Sequence, residues 1–460
     1  MDKDALAING GSKAIEAFEG KGPPKISHEE FLEIADTWGY SQETVNQIRH
    51  LIEKDDLGGG PFLVRYKPQS KVSQLESQAA SLFDVKHVLA VTSGTAALHT
   101  AYVAADVGCG DEVIVPGYTF AATAMAVVVT RGIPIWCEID ESMTIDPVDL
   151  ERKITPRTKA IAPVHMNGYV CNMDSIMEIA RKHGIQVIED CAQACGASFR
   201  GRRIGTIGDL GCFSISAYKT TGGGEGGMIV TDGDDLYARA QQWSEGGGLW
   251  RPIRCEKPRW DGELFCGLNY RMSELEGTVL LVQFRKMEAQ LNRWRTNKRR
   301  IMSTLAVYKE LTPQVIHDIN GEMGYTIGFF PENAQESELV VAALRAEGIA
   351  CGTRGQNPGS DWHYYQHVDM ILQKMPATSD GCPWDCPKAS EAAAVEYSPD
   401  MCPRSVDLTN RHVNVHVDQW WTECDCDQVA AALTKVFDAL YTRGGSCYNS
   451  WLDDVIPFDR

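Results

Sequence analysis

An amine becomes a nucleophile or a proton carrier near neutral pH when it is partly desolvated, because burial penalises its charged form. Lys219 has surroundings of that kind. It closes the run Phe213-Ser214-Ile215-Ser216-Ala217-Tyr218 and leads into Thr220-Thr221-Gly222-Gly223-Gly224-Glu225-Gly226-Gly227. Schiff-base chemistry is what such a lysine can do; an exposed hairpin lysine is the competing reading. A carboxylate, Asp190, ends the apolar run Val187-Ile188-Glu189-Asp190, which would deliver it to the C-terminal edge of a strand, where open α/β sheets take ligands. Alone, it reads first as a helix N-cap. In Thr92-Ser93-Gly94-Thr95-Ala96-Ala97-Leu98 a strand ends in small residues that open a helix. Its unpaired N–H groups and dipole suit a phosphate, and an ordinary structural cap is the alternative.

The elements that must position these residues follow from hydrophobic period. From Ser73 onward, helical patterns alternate with short apolar runs: helix Ser73–Phe83, strand His87–Thr92, helix Gly94–Ala105, strand Glu112–Pro116 and a helix after Thr119. Strands near Ile133–Cys137 and at Ala160–His165 follow, then helix Met173–His183 and strand Ile185–Asp190. Such alternation predicts an α/β fold of three layers (αβα) around a mainly parallel sheet. Gly211–Ala217 and Gly227–Thr231 read as two further strands, Asp234–Ser244 as a helix, and Met272 to about Leu305 as a long helix leading out of the large domain. The remainder reads as a smaller α+β domain, with strand Tyr325–Phe330, helix Glu336–Glu347, a Pro- and Cys-rich loop at 375–405 and a last helix Asp427–Tyr441. The expected division is therefore an arm or cap over 1–66, a large domain over 67–305 and a small domain over 306–460.

Composition narrows the function by exclusion. Among 460 residues, 44 Lys and Arg face 62 Asp and Glu, a net charge of −18 that opposes sequence-independent attraction to nucleic acid or anionic membrane. No run approaches the roughly 20 apolar residues that span a bilayer, and the start MDKDALAINGG lacks the features of a secretory signal, so a cytoplasmic protein is expected. The 15 cysteines read as free, mostly buried thiols. Cys382, Cys386, Cys402, Cys424 and Cys426 share one domain, and His363 and His367 stand four apart, but paired CxxC units are missing and no metal site is expected.

Together the chemical segments resemble the DegT/DnrJ/EryC1/StrS family of pyridoxal-phosphate-dependent sugar aminotransferases, of the aspartate aminotransferase fold type (fold type I). The motifs are SGTAAL at 93–98, PGYTFAAT at 116–123, PVHMNG at 163–168, EDCAQACGA at 189–197, GDLGCFS at 208–214, the lysine with GEGG at 219 and 224–227, and GLNYRMSELEG at 267–277. The resemblance implies pyridoxal 5'-phosphate (PLP, with PMP its aminated form) bound covalently through Lys219, with Asp190 on its pyridine nitrogen, Gln193 on its phenolic oxygen and Phe120 stacked on the ring. Gly94, Thr95 and Ser214 would form the phosphate cradle. Asn269 would reach the phosphate of the neighbouring subunit, which implies a homodimer with shared active sites. His165 falls where the family places a histidine that either touches substrate or satisfies a core hydrogen bond.

By the same resemblance, the reaction is ping-pong transfer of an amino group from glutamate or glutamine to a keto-sugar, nucleotide keto-sugar or keto-cyclitol, in amino-sugar or aminocyclitol biosynthesis. A PLP-dependent dehydratase typically carries histidine in place of the lysine, which Lys219 opposes. A non-catalytic regulator that binds DNA is opposed by the net charge. Two departures bear on the substrate: Cys195, often histidine in the family, and the Trp- and Arg-containing stretch between Gly227 and Gly267, from Gly248 through Trp260.

Overall fold

The computed structural model describes residues 3–17, 24–58, 60–61, 63–65, 69–247, 265–356, 359–386, 394–444 and 450–452. The stretch 248–260 singled out above lies outside them. The chain divides into two compact units, Met1–Val64 and Arg65–Arg460. In the first, helices α1 (His28–Thr37) and α2 (Gln42–Ile52) each start on a serine. Ser27 forms a reciprocal capping box with Glu30, which satisfies backbone donors that a helix start otherwise leaves open.

The second unit opens with α3 (Lys71–Phe83), β1 (His87–Val91), α4 (Gly94–Ala104), β2 (Glu112–Pro116), α5 (Ala122–Val129) and β3 (Ile133–Cys137). It continues with α6 (Pro147–Lys153), β4 (Thr158–Ile161), α7 (Met173–His183), β5 (Gln186–Asp190), the small hairpin β6 (Ser198–Phe199) and β7 (Arg202–Arg203), then β8 (Leu210–Ser214), β9 (Gly227–Thr231), α8 (Asp234–Ser244) and α9 (Glu274–Met302). Seven strands form one sheet in the order β1-β9-β8-β5-β4-β2-β3. It is parallel except for β9, which runs antiparallel to both neighbours.

Both faces of this sheet are covered, and the period of two shows how. Val88 and Ala90 of β1 face a core built with Leu75, Phe83, Ile176 and Phe284 from α3, α7 and α9. Leu89 and Val91 face the opposite core, with Ala97, Ala101 and Ala124 from α4 and α5. Alternation that is apolar on both sides is what a strand buried between two helix layers requires. The result is an αβα architecture of fold type I, a mainly parallel sheet in three layers.

Beyond α9, β10 (Thr312–Pro313), β11 (Thr326–Phe330), α10 (Ala334–Ala346), β12 (Cys351–Thr353), α11 (Asp369–Leu372), α12 (Pro403–Arg411), β13 (Val413–His416) and α13 (Glu423–Leu440) complete the described chain. Here the four strands form an antiparallel sheet, β10-β11-β13-β12, packed through Phe329 and Val415 on Val340, Leu344, Leu433 and Phe437 of α10 and α13. Helix α9 has 29 residues, about 44 Å, and joins the two regions: Leu280 and Phe284 serve the first core, Ile301 and Met302 the second.

Several segments depart from the sequence reading. The strand expected over Ala160–His165 ends at Ile161 and resumes only as a bridge between Val164 and Asp190, because Pro163 has no N–H for the ladder. Helix α12 begins inside the segment read as a 375–405 loop, with Pro403 at its first turn. β12 and β13, unforeseen, are only three and four residues long, too short for alternation to stand out.

Candidate active site

The ends of three strands converge on one cavity. β5 ends at Asp190, β8 ends at Ser214 and runs into the turn holding Lys219, and the start of α4 follows β1. The glycines of the turn are required by close packing. A Cβ on Gly222 would lie 1.9 Å from the Ser216 carbonyl oxygen, and one on Gly227 would lie 2.0 Å from that of Ser93. Thus β9 returns tightly against the β1–α4 junction and holds Lys219 beside the helix start.

The cavity measures about 710 Å³, and Gly94, Thr95, Phe120, Asp190, Gln193, Ser214 and Lys219 all stand in its wall. Asp190 is 4% exposed. Its Oδ2 accepts a hydrogen bond from the Thr123 hydroxyl at 2.7 Å and its Oδ1 one from the Ala192 N–H at 3.0 Å. Burial raises its pKa above the ordinary carboxylate value, against the pull of these two donors and of the Lys219 ammonium. Burial lowers the pKa of Lys219, while Asp190 acts in the opposite sense. The pair is therefore a buried acid and a half-buried amine of mutually dependent charge.

Gln193 Oε1 accepts the Asn167 N–H at 2.9 Å, which leaves the amide NH₂ as the donor that this side chain can offer the cavity. Phe120 is 44% exposed, so it is no core residue; its ring stands 5.2 Å from that of His363. A Cβ on Gly94 would come within 2.6 Å of Ser214 Cβ, so only glycine lets the helix start approach the serine. Ser93 caps α4 by accepting the Ala96 N–H, and the neighbouring N–H groups at Gly94 and Thr95 border the cavity.

Two sequence-derived positions lie elsewhere. His165 is fully buried and outside the cavity wall: its Nδ1 accepts the Cys171 N–H at 3.1 Å, so the ring proton sits on Nε2, 3.2 Å from Glu189 Oε2. Of its two readings, this structure places it as a core hydrogen-bonding residue. Asn269 is exposed, accepts the Arg271 N–H at 3.3 Å and does not border this protomer's cavity. Cys195 is buried, its thiol pushed up to about 12 by burial, and it does not line the cavity either.

Thr123, Trp294 and Tyr325 line the cavity without having been singled out for it, as does His363 of the aromatic segment Trp362-His363-Tyr364-Tyr365. Thr123 is the last residue of PGYTFAAT, so its signal was present; Trp294 on α9 and Tyr325 before β11 come from distant sequence and left none. Tyr325 donates to the Gln193 carbonyl at 2.9 Å. His165, Glu189 and Cys191 form a cluster of metal-ligand type. Its carboxylate is already saturated by the N–H groups of Gly205, Ile207 and Gly208.

The residues fit pyridoxal phosphate: a desolvated amine for its aldehyde, a buried carboxylate for its ring nitrogen, an amide donor for its phenolic oxygen, and a helix start closed by Gly94 and Ser214 for its phosphate. Fold and site together define a fold-type-I PLP-dependent transferase. The chain belongs to the DegT/DnrJ/EryC1/StrS aminotransferase family, whose pattern matches residues 65–385. It is 34% identical, over 78% of its length and 82% of the relative's, to a putative L-glutamine:3-amino-2,3-dideoxy-scyllo-inosose aminotransferase of Micromonospora echinospora. It is 40% identical to the GDP-perosamine synthase of Caulobacter vibrioides, over 48% of this chain and 58% of that enzyme. Among solved structures, 3-amino-5-hydroxybenzoic acid synthase superposes with a TM-score of 0.65 at 25% identity, covering 80% of this chain and 91% of the other. An aminotransferase from Psychrobacter cryohalolentis gives the same score and identity over 87% and 98%.

Proposed function

We propose that this aminotransferase moves an amino group from glutamate or glutamine to a keto-sugar, nucleotide keto-sugar or keto-cyclitol. The observation that carries the reading is the convergence of Lys219, Asp190 and the Gly94–Ser214 cradle on one cavity. Relatives that act on a keto-cyclitol and on a nucleotide sugar support the acceptor class. The bound cofactor supplies an electron sink and carries the amino group between donor and acceptor. Lys219, once displaced by the donor, holds and moves the proton of the donor α-carbon, a task that its lowered pKa suits. Asp190 keeps the proton on the ring nitrogen, and the Thr123 hydroxyl and Ala192 N–H keep Asp190 oriented. Gln193 donates to the phenolic oxygen, Phe120 covers a ring face, and Gly94, Thr95 and Ser214 hold the phosphate.

We assign Asn269 to the phosphate of a partner subunit in a homodimer, a role consistent with its exposure and its distance from the wall of its own cavity. Residues 67–305 and 306–460 are assigned as large cofactor-binding and small domains, with 1–66 as an arm. No helix among the described residues is long and apolar enough to cross a membrane.

The test is spectroscopic. Protein given PLP should gain a visible absorbance that Lys219→Ala abolishes, and glutamate or glutamine alone should convert bound PLP to PMP. A protein that stays colourless, or makes no PMP with any amino donor, is not the enzyme described.

A further inference from the structure

A second cavity, of about 670 Å³, adjoins the first, and the two share Thr326 and His416 in their walls. Arg354 stands in the second. Its Nη1 donates to Asn410 Oδ1 at 2.8 Å and its Nη2 to Gln366 Oε1 at 3.1 Å, and its Nε is buried without an acceptor among the described residues. The guanidinium lies 4.3 Å over the ring of Tyr364. None of these partners is a carboxylate; the Asp361 charge acts on the guanidinium only through space. Other arginines here have found carboxylates: Arg157 pairs with Glu112, Arg300 with Asp427, Arg404 with Asp146. In a chain with 62 Asp and Glu, a half-buried guanidinium without a carboxylate partner among the described residues has unspent capacity for an anion. The nearest acidic wall residue, Asp361, is committed to the N–H and Nδ1 of His363, at 2.9 and 2.7 Å.

We propose that this cavity binds the anionic group of a substrate of the same active site, a carboxylate or a phosphate ester, with Arg354 as the recognising cation. Tyr118 and Tyr364, stacked 5.3 Å apart, supply a flat wall beside it. The inference rests on the aminotransferase reading, since the anion must belong to a molecule whose other end reaches the cofactor cavity. A carboxylate would come from the amino donor and a phosphate from a nucleotide-bearing acceptor.

Calorimetric titration of the PLP-loaded protein with non-reacting anions separates these sources: glutarate stands for the donor carboxylate, UDP for the phosphate. One of the two should bind, Arg354→Gln should weaken it at least about tenfold, and Arg354→Lys should restore affinity to within about threefold. Asp361→Asn removes a negative charge from the same wall and should tighten binding by about threefold, a direction that misfolding cannot mimic. Glutarate binding assigns the donor, UDP binding the acceptor. The proposal is overturned if the wild-type holoenzyme binds neither, or if Arg354→Gln binds within twofold of wild type. Should Arg354→Gln fail to fold, unchanged or weaker binding by Asp361→Asn overturns it. Failure to take up PLP at all would sink the aminotransferase reading before this titration begins.

Discussion

At the scale of the residue, the site depends on a buried carboxylate and a half-buried amine that set each other's charge. Asp190 is held as an acceptor by Thr123 and Ala192, and its negative charge props up the pKa of Lys219 against burial. Asp190→Asn removes that support. Capture of PLP by the apoprotein, followed by absorbance against pH, should then set in at lower pH than in the wild type, which itself should respond below the ordinary lysine value of 10.5. Turnover in the same variant should fall at least about a hundredfold, because a neutral amide cannot hold the ring nitrogen protonated. Lys219, Asp190, Gln193 and Phe120 were legible because each stands in a short contiguous motif. Trp294 and Tyr325 were not, since only the packing of α9 and the strand-bearing segment after it brings them to the cavity.

At the scale of the element, the cradle is a packing result. α4 approaches β8 so closely that a methyl group at Gly94 would meet Ser214 Cβ at 2.6 Å and its Oγ at 3.2 Å. Gly94→Ala should therefore cost about 1–3 kcal/mol of stability by overpacking, read from chemical denaturation, and weaken PLP binding through the displaced helix start. Gly108→Ala, with nothing nearer than Asp111 Oδ2 at 4.0 Å, should leave both unchanged. Elements with a strong period, such as α7 and β2, were readable from sequence; β12 and β13 were not, because three- and four-residue strands acquire their meaning from the ladder they join.

At the scale of the whole molecule, two consequences follow. Burial lowers the pKa of His412 to about 3 and of His317 to about 4, whereas in the unfolded chain both titrate near 6.5. Below that pH the unfolded chain binds protons at these two rings that the folded chain refuses, so their contribution to stability falls as pH drops from 6.5 toward 4. Thermal midpoints recorded over that range should decline, and His412→Asn should make the decline shallower. The second consequence concerns assembly. If Asn269 serves the neighbouring subunit, Lys219→Ala and Asn269→Ala protomers mixed at random should recover about a quarter of wild-type activity, since half the dimers carry one complete site of two. Homodimers of either variant alone should stay far below that value.

By itself, the order of residues determined the chemistry and its scaffold: an amine after a strand, a carboxylate at a strand edge, small residues opening a helix, and apolar runs of the period that a buried parallel sheet needs. These are local facts, written into contiguous stretches. Tertiary structure alone decided that His165 belongs to the core, that Thr123 and Tyr325 brace the site, and that Arg354 stands beside a second cavity with no carboxylate partner among the described residues. Such relations join residues up to 132 positions apart, and packing, which no local pattern encodes, is what brings them within reach of one another.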